Sequence, residues 1–291
     1  MTQTQTSDPG RTITTRRISF EAMLEGLPRH YAQDGDLLSS HILAGLSSVF
    51  PDGEDFFVRS VRHYRDQITD PVLKRQVAGF IGQESIHGRE HRVFNDKLDE
   101  LGYPTKIVER ITKAGLAFRW RFLPKKSSLA LTAALEHFTA TLAELVMTDE
   151  EVRQAFGHDA VRYLFLWHAL EESEHKAVAF DVYRAVGGSE RLRVWTMKVT
   201  RVLFLLGSLV ELVASLAMDP ATYRRGRLRQ SISGIGQSSL VSKKLWDQLC
   251  EYDRPGFHPN DRDTSELIEY WRGELFGDEG ALKDKLAAPA A

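Results

Sequence analysis

Trp167-His168-Ala169-Leu170-Glu171-Glu172-Ser173-Glu174-His175 reads as one helix that turns three metal-type side chains to one side. Glu172 and His175 are three residues apart, a step of about 300° on an α-helix, so they share a face. His168 lies seven residues before His175, close to two full turns, and falls on that face too. The pattern recurs upstream, where Gly82-Gln83-Glu84-Ser85-Ile86-His87-Gly88-Arg89-Glu90-His91 holds a second Glu-x-x-His pair 88 residues earlier. Carboxylate and imidazole together suit a divalent first-row ion. One such pair on each of two helices predicts two metals inside a four-helix bundle, with a single carboxylate from each of the other two helices.

For the second half, the single carboxylate is Glu136 in Ala133-Ala134-Leu135-Glu136-His137-Phe138-Thr139-Ala140, an apolar context that a solvated glutamate would not choose. For the first half it is Glu54, in Pro51-Asp52-Gly53-Glu54-Asp55-Phe56-Phe57; a helix-initial acid favoured by the dipole is the alternative reading. Glu54 precedes Glu84 by 30 residues and Glu136 precedes Glu172 by 36, the similar intervals that two antiparallel helix pairs would produce. His168 is read as a ligand, or else as a hydrogen-bond donor to one. His91 shares the ligand face of its helix and is expected to support a ligand. Glu144 lies near the face of Glu136 and has the same supporting expectation. His137 and Glu174 point about 100° away from the neighbouring candidates and are read as structural. Glu171 becomes a ligand only if its helix is rotated.

Helical periodicity runs through nearly every long segment, and no stretch alternates as a sheet requires. Helices are expected at Asp36 to Ser48, Glu54 to Thr69, Pro71 to Leu101, Ser127 to Asp149 and Glu150 to Val186, the last with a break near Gly157-His158-Asp159. Phe50-Pro51-Asp52-Gly53 reads as a turn, and Pro104 to Phe122 as short and less regular. Asp70 is the N-cap before Pro71. The expected fold is all-α: a ferritin-like four-helix bundle core with additional C-terminal helices. A single domain is expected over 19–279, with the metal-binding bundle at 36–187 and accessory helices at 190–279. Residues 1–18 and 280–291 are expected to be loose tails.

The chain has 291 residues, 42% of them hydrophobic, enough for one large core. A net charge of -2 gives no general attraction to nucleic acid or anionic membrane. The single cysteine, Cys250, excludes an internal disulfide and fits a reducing cytoplasm, the expected location. The N-terminal stretch lacks the apolar core of a signal peptide. Arg193 to Ala217 is strongly apolar, but Lys198, Arg201 and Glu211 interrupt it, so no membrane span is expected. A core or homodimer-interface helix is the leading reading, and a membrane-surface helix the other. The basic run Tyr223 to Arg229 reads as a solvated helix face rather than a phosphate site.

Taken together, Phe50-Pro51-Asp52-Gly53-Glu54, the two Glu-x-x-His motifs and Ala134 to Ala140 resemble a bacterial family of predicted metal-dependent hydrolases, over roughly Asp36 to Ala217. The extra histidine in His168-x-x-x-Glu172-x-x-His175 also resembles the arylamine N-oxygenases, a ferritin-like di-iron group. By that resemblance Glu54, Glu84, His87, Glu136, His168, Glu172 and His175 would hold the metals. Gln83 and Glu171 stand where an aspartate commonly supports the histidines in ferritin-like proteins. The expected cofactor is two iron ions, with manganese or zinc as the alternative. The expected function is a di-iron oxidoreductase or oxygenase acting on a small apolar substrate, in a pocket walled by Phe57, Phe80, Phe138, Trp167 and Phe180. Electrons would come from a separate donor protein or from the substrate, since no nucleotide-binding fingerprint is present. The alternative is a metal-dependent hydrolase with Glu171 or His91 as general base. Iron storage is a third reading, which the long C-terminal region disfavours.

Overall fold

The computed structural model describes residues 13–235 and 239–287. Within them eleven α-helices follow one another: α1 Leu37–Arg62, α2 Pro71–Glu100, α3 Thr105–Phe122, α4 Lys125–Thr148, α5 Glu150–Ala155, α6 Asp159–His175, α7 Val178–Ala185, α8 Glu190–Met218, α9 Arg227–Ile235, α10 Lys243–Glu251 and α11 Ser265–Phe276. Among the described residues there is no strand, only an isolated bridge between Ile18 and Leu286. The fold class is all-α, as the periodicity predicts. α1 pairs with α2 and α4 with α6, and contacts of α1 with α4 and of α2 with α6 and α7 close the four-helix arrangement.

Local chemistry explains most boundaries. Asp36 and Asp70 cap α1 and α2 by accepting from Ser39 N and Val72 N, both at 2.8 Å. Gly102 ends α2 with φ +91°, a conformation that L side chains rarely adopt. The expected turn at Phe50–Gly53 is not formed: α1 runs straight through Pro51. Proline has no N–H for the carbonyl four residues back, that of Ser47. Asn95 of α2 supplies the missing donor, its Nδ2 reaching Ser47 O at 3.1 Å. The defect is thus repaired by a neighbouring helix, which sequence periodicity does not register. Asn95→Leu is expected to lower stability by about 1–3 kcal/mol, because it orphans a buried carbonyl; the midpoint of urea unfolding checks this.

Two further expectations are corrected. The stretch expected to be irregular, 104–122, is the helix α3, with one side against α1. The chain is packed from before residue 19 and beyond residue 280. Arg16, Ile18 and Leu282 are buried, and Ala287 N donates to Arg17 O at 2.8 Å. Residues 1–12 and 288–291 of the expected tails lie outside the described residues.

The core has two large apolar clusters and a small third one around Leu37 and Leu216. Of the large two, one gathers Phe94, Leu98, Leu164, Trp167 and Leu170, and the other Phe56, Phe80, Ala134, Phe138 and Phe180. Between them runs a layer of buried carboxylates and imidazoles contributed by α1, α2, α4 and α6. The C-terminal helices brace this bundle: Trp271 Nε1 donates to Met147 O at 2.9 Å, and Arg272 pairs with Glu174. α4 and α8 are both long and apolar enough to cross a membrane. α4 is a core helix of the bundle. α8 is not the core helix that its apolar composition suggests. Val202, Leu203, Leu206 and Val210 are all more than half exposed.

Candidate metal centre

Each of the seven predicted ligands is buried, and the four bundle helices aim them at one place. Glu54 comes from α1, Glu84 and His87 from α2, Glu136 from α4, and His168, Glu172 and His175 from α6. Glu84 Oε1 lies 3.5 Å from His87 Nδ1 and 3.0 Å from His175 Nε2. Glu172 Oε1 lies 2.9 Å from His168 Nε2, 3.7 Å from His87 Nδ1 and 3.6 Å from His175 Nε2. These two carboxylates therefore sit in the middle. Glu54 lies to one side, 3.7 Å from His168, and Glu136 to the other, 3.5 Å from His175. Donor sets compact enough for one ion form on both sides: Glu54, Glu84 and His87, and Glu84, Glu172 and His175. Gly88 makes room on α2, since a Cβ there would meet Glu54 Oε2 at 3.2 Å.

The outer nitrogen of each imidazole is held. His87 Nε2 donates to Glu171 Oε2 at 3.0 Å, and His175 Nδ1 donates to Gln83 Oε1 at 2.8 Å. The support crosses between the motifs: the residue before one glutamate orients the histidine of the other. His168 is oriented by a longer chain. Asn95 Nδ2 donates to Ser47 O and to Glu109, so Asn95 Oδ1 is the acceptor for Ser47 Oγ at 2.6 Å. Ser47 must then accept from His91 Nδ1 at 2.9 Å, and His91 Nε2 from His168 Nδ1 at 2.7 Å. This network assigns His168 the tautomer whose Nε2 lone pair faces Glu172 and Glu54. Lone pair against carboxylate is a repulsive arrangement unless a cation lies between them.

Burial and crowding set the protonation of the metal-free centre. Burial, then the neighbouring Glu84, pushes Glu54 well above the usual carboxylate range, and burial, then Glu172, does the same to Glu136. Burial would also raise Glu84 and Glu172, but the facing imidazoles outweigh it and hold both low. Burial opposes a charge on His87, yet Glu171 and Glu84 prevail and raise it to about 10. His175 is raised well above its ordinary value in the same way, with Glu172 the leading carboxylate. His168 and His91 are lowered by burial, next by cationic His87 for His168 and by His168 for His91.

A cavity of about 690 Å³ opens onto this centre between α1, α4, α6 and α9. His168, Glu172 and Thr139 lie at its inner end. Leu43, Leu46, Phe50, Leu142, Val146 and Phe165 line the passage, and Arg227, Gln230 and Ser231 the outer part. None of Phe57, Phe80, Phe138, Trp167 and Phe180 lines it, contrary to expectation. Two of those rings pack against the candidate ligands instead: Trp167 meets His87 at 4.9 Å and Phe80 meets His175 at 5.0 Å, edge to face. Helical periodicity identifies inward side chains, but it does not say on which side of the polar layer the empty space lies.

The supporting candidates divide. His91 lies against His168 and passes its orientation on from Ser47. Glu144 does not face the centre; it pairs with Arg262 at 3.2 Å on the outer side of α4. His137 packs on Tyr252 and Phe257, and its Nε2 meets Gln248 O at 3.1 Å. Thr139 and Arg16 escape the sequence reading, and of Gln83 only the partner does. Thr139, three residues after Glu136, donates its hydroxyl hydrogen to Glu172 Oε2. Gln83 can be paired with His175 only in three dimensions. Arg16, in the stretch expected to be a loose tail, binds Glu171 at 2.9 Å and Glu174 at 2.7 Å while almost fully buried. Burial alone would raise Glu174, but Arg16 and Arg272 outweigh it and hold the carboxyl low. Arg16→Met is expected to cost about 3–5 kcal/mol, because it leaves buried anions short of their cation. Thermal unfolding at neutral pH tests this, with a loss under about 1 kcal/mol counting against it.

No curated protein and no solved structure matches the chain. A family model described as "Predicted metal-dependent hydrolase" matches residues 14–263. That span takes in Arg16, the four helices that carry the candidate ligands and the C-terminal helices up to Asp263. It backs metal dependence, and it favours the hydrolytic alternative over the di-iron oxygen chemistry that leads the sequence reading. The chain belongs to the predicted metal-dependent hydrolase family.

Proposed function

We propose that this chain holds two divalent ions between Glu54, Glu84, His87, Glu136, His168, Glu172 and His175, and uses them to hydrolyse a small, largely apolar substrate bound in the cavity. One observation carries the proposal. Both carboxylate oxygens of Glu54, Glu84 and Glu136, together with His87 Nδ1 and His175 Nε2, are buried without a hydrogen-bond partner. Leaving so many polar atoms unpaired in a core costs several kcal/mol, and their convergence on one place is what ligands of a cation require. The donor chemistry also fits: with all four glutamates ionised, two divalent ions bring the centre to neutrality.

The ions would supply Lewis acidity and an acidified water. The chain's own residues do the rest. Phe50, Leu46, Leu142 and Phe165 exclude bulk water and hold the apolar part of the substrate. His168 and Glu172 present the open end of the centre to the cavity. Thr139 steadies Glu172 and borders the same space, where its side chain can meet a substrate oxygen.

A second reading, oxidation of the same kind of substrate by a di-iron centre and O2, is favoured by a specific observation. The two side chains considered as general bases are both engaged: Glu171 by Arg16 and His87, His91 by Ser47 and His168. A centre without a spare base suits chemistry carried by the metals themselves. Elemental analysis of protein purified without added metal separates the readings. Zinc or manganese, with cleavage of apolar acyl or phosphate esters, is the expected result. About two irons per chain with substrate-linked O2 uptake would move the assignment to the second reading. Absence of metal, even after reconstitution, would refute both. His168→Ala is expected to retain metal and to change the absorption spectrum of the cobalt-substituted protein; an unchanged spectrum would remove His168 from the ligand set.

A further inference from the structure

α8 shows the surroundings an apolar face that the rest of the chain leaves uncovered. Val202, Leu203, Leu206, Leu209, Val210 and Val213 are each more than half exposed. At 100° per residue they share an arc of about 120°, a third of the helix circumference, along about 17 Å from Val202 to Val213. The only charged side chain between Arg201 and Asp219 is Glu211, and it turns inward onto Gly45 of α1. A soluble monomer rarely exposes an apolar patch of that extent.

α3 adds a second such face with a definite charge. Ile107, Ile111, Phe118 and Phe122 form an exposed stripe at helical spacing. From Thr105 to Lys126 the chain carries seven lysines and arginines against one acid, Glu109. Arg110, Lys113 and Arg121 are exposed beside the stripe. Both helices pack on α1. The end of α3 also lies near the start of α8, since Lys126 reaches Gly187 O at 3.4 Å, just ahead of the α8 cap Ser189.

We infer that α3 and α8 together dock this protein on an anionic lipid surface. An apolar stripe flanked by lysine and arginine is the composition of a helix that lies in a bilayer interface. A second copy of the chain fits less well, because a two-fold interface sets each patch against itself and so opposes one basic rim to the other. A span is excluded by packing: Phe204 of α8 packs at 5.2 Å, tilted, on Phe138 of the core, and Arg201 pairs with Asp253. Docking in this way has a consequence for substrate entry. Ile42 and Leu37 line the cavity and also pack, with Leu212 and Leu216 of α8, in one apolar cluster. The cavity wall is therefore continuous with the lipid-facing helix, and an apolar substrate can reach it from the bilayer.

The test is co-sedimentation of the full-length protein with vesicles of phosphatidylcholine alone or mixed with phosphatidylglycerol. Binding is expected to the mixed vesicles and to weaken with salt. Leu206→Asp with Val210→Asp should lower partitioning by about a hundredfold. Lys113→Glu with Arg121→Glu should lower it by at least tenfold at low salt. Neither pair touches the metal centre, so unchanged metal content and circular dichroism show that each variant is folded. Mixed-vesicle binding that survives both pairs would overturn the inference. So would a parent protein that stays in the supernatant, including one found by light scattering to be a dimer that the aspartate pair splits.

Discussion

Glu172→Ala is expected to abolish metal binding altogether while the bundle still folds. Glu172 Oε1 approaches all three imidazoles, at 2.9, 3.6 and 3.7 Å, so its loss removes a donor from both halves of the centre. Glu84→Ala should behave alike, because its carboxylate lies between His87 and His175. Glu54 and Glu136 stand at opposite ends, and Glu136→Ala is expected to leave one ion per chain. The fold should persist because removing a buried carboxylate also removes its desolvation penalty, which in the metal-free protein nothing repays in full. Metal content per chain, with far-ultraviolet circular dichroism as the control for folding, decides the matter. Two ions retained by both Glu84→Ala and Glu172→Ala would disprove the ligand assignment.

Metal uptake is expected to release about four protons near neutral pH. The sign follows from the metal-free centre. Burial pushes Glu54 and Glu136 well above the usual carboxylate range, toward the neutral form, while His87, raised to about 10, and His175, raised well above its ordinary value, are shifted toward the protonated form. All four must lose a proton before they can ligate. Protons therefore compete with metal, and apparent affinity should fall steeply as the pH falls, by up to about 10⁴ per unit while all four groups remain protonated in the free protein. Above the pKa of His87 the dependence should weaken. Calorimetric titrations in buffers of different ionisation enthalpy count the protons directly. Release of one proton or none would mean that the free centre is already ionised, and would refute this pattern of protonation.

The same electrostatics explains how the metal-free bundle tolerates so many ionisable groups. Burial shifts Glu54 and Glu136 toward the neutral form, while Glu84 and Glu172 face His87 and His175, so the metal-free interior avoids an excess of buried negative charge. Arg16 extends the compensation outward, since Glu171 and Glu174 are paired by a guanidinium from a distant part of the chain.

The periodic signals are legible in the chain itself. Glu84, His87, Glu172 and His175 declare themselves because a three-residue step keeps two side chains on one helical face whatever surrounds it. Glu136 stands out by its apolar context. The all-α class follows from the same periodicity, and so do Asp70 as a cap and Gly102 as a stop. Long-range partners are not legible. Whether α1 continues through Pro51 depends on Asn95, 44 residues on, offering its amide to Ser47 O. Helical angle alone puts Glu144 near Glu136, but Arg262 draws it to the outer side. Arg16 escapes notice because a polar N-terminal stretch gives no local sign of the buried acids awaiting it.

The sequence by itself determined the all-α class, most of the helices and the faces shared by Glu84 with His87 and by Glu172 with His175, because these depend on rotation per residue and on short-range capping. Tertiary structure alone decided where the cavity lies, which nitrogen of each histidine faces the centre, and that α8 shows its apolar face outward. Each of those is a question of what lies across a gap between helices, and packing answers it through contacts between residues far apart in the chain.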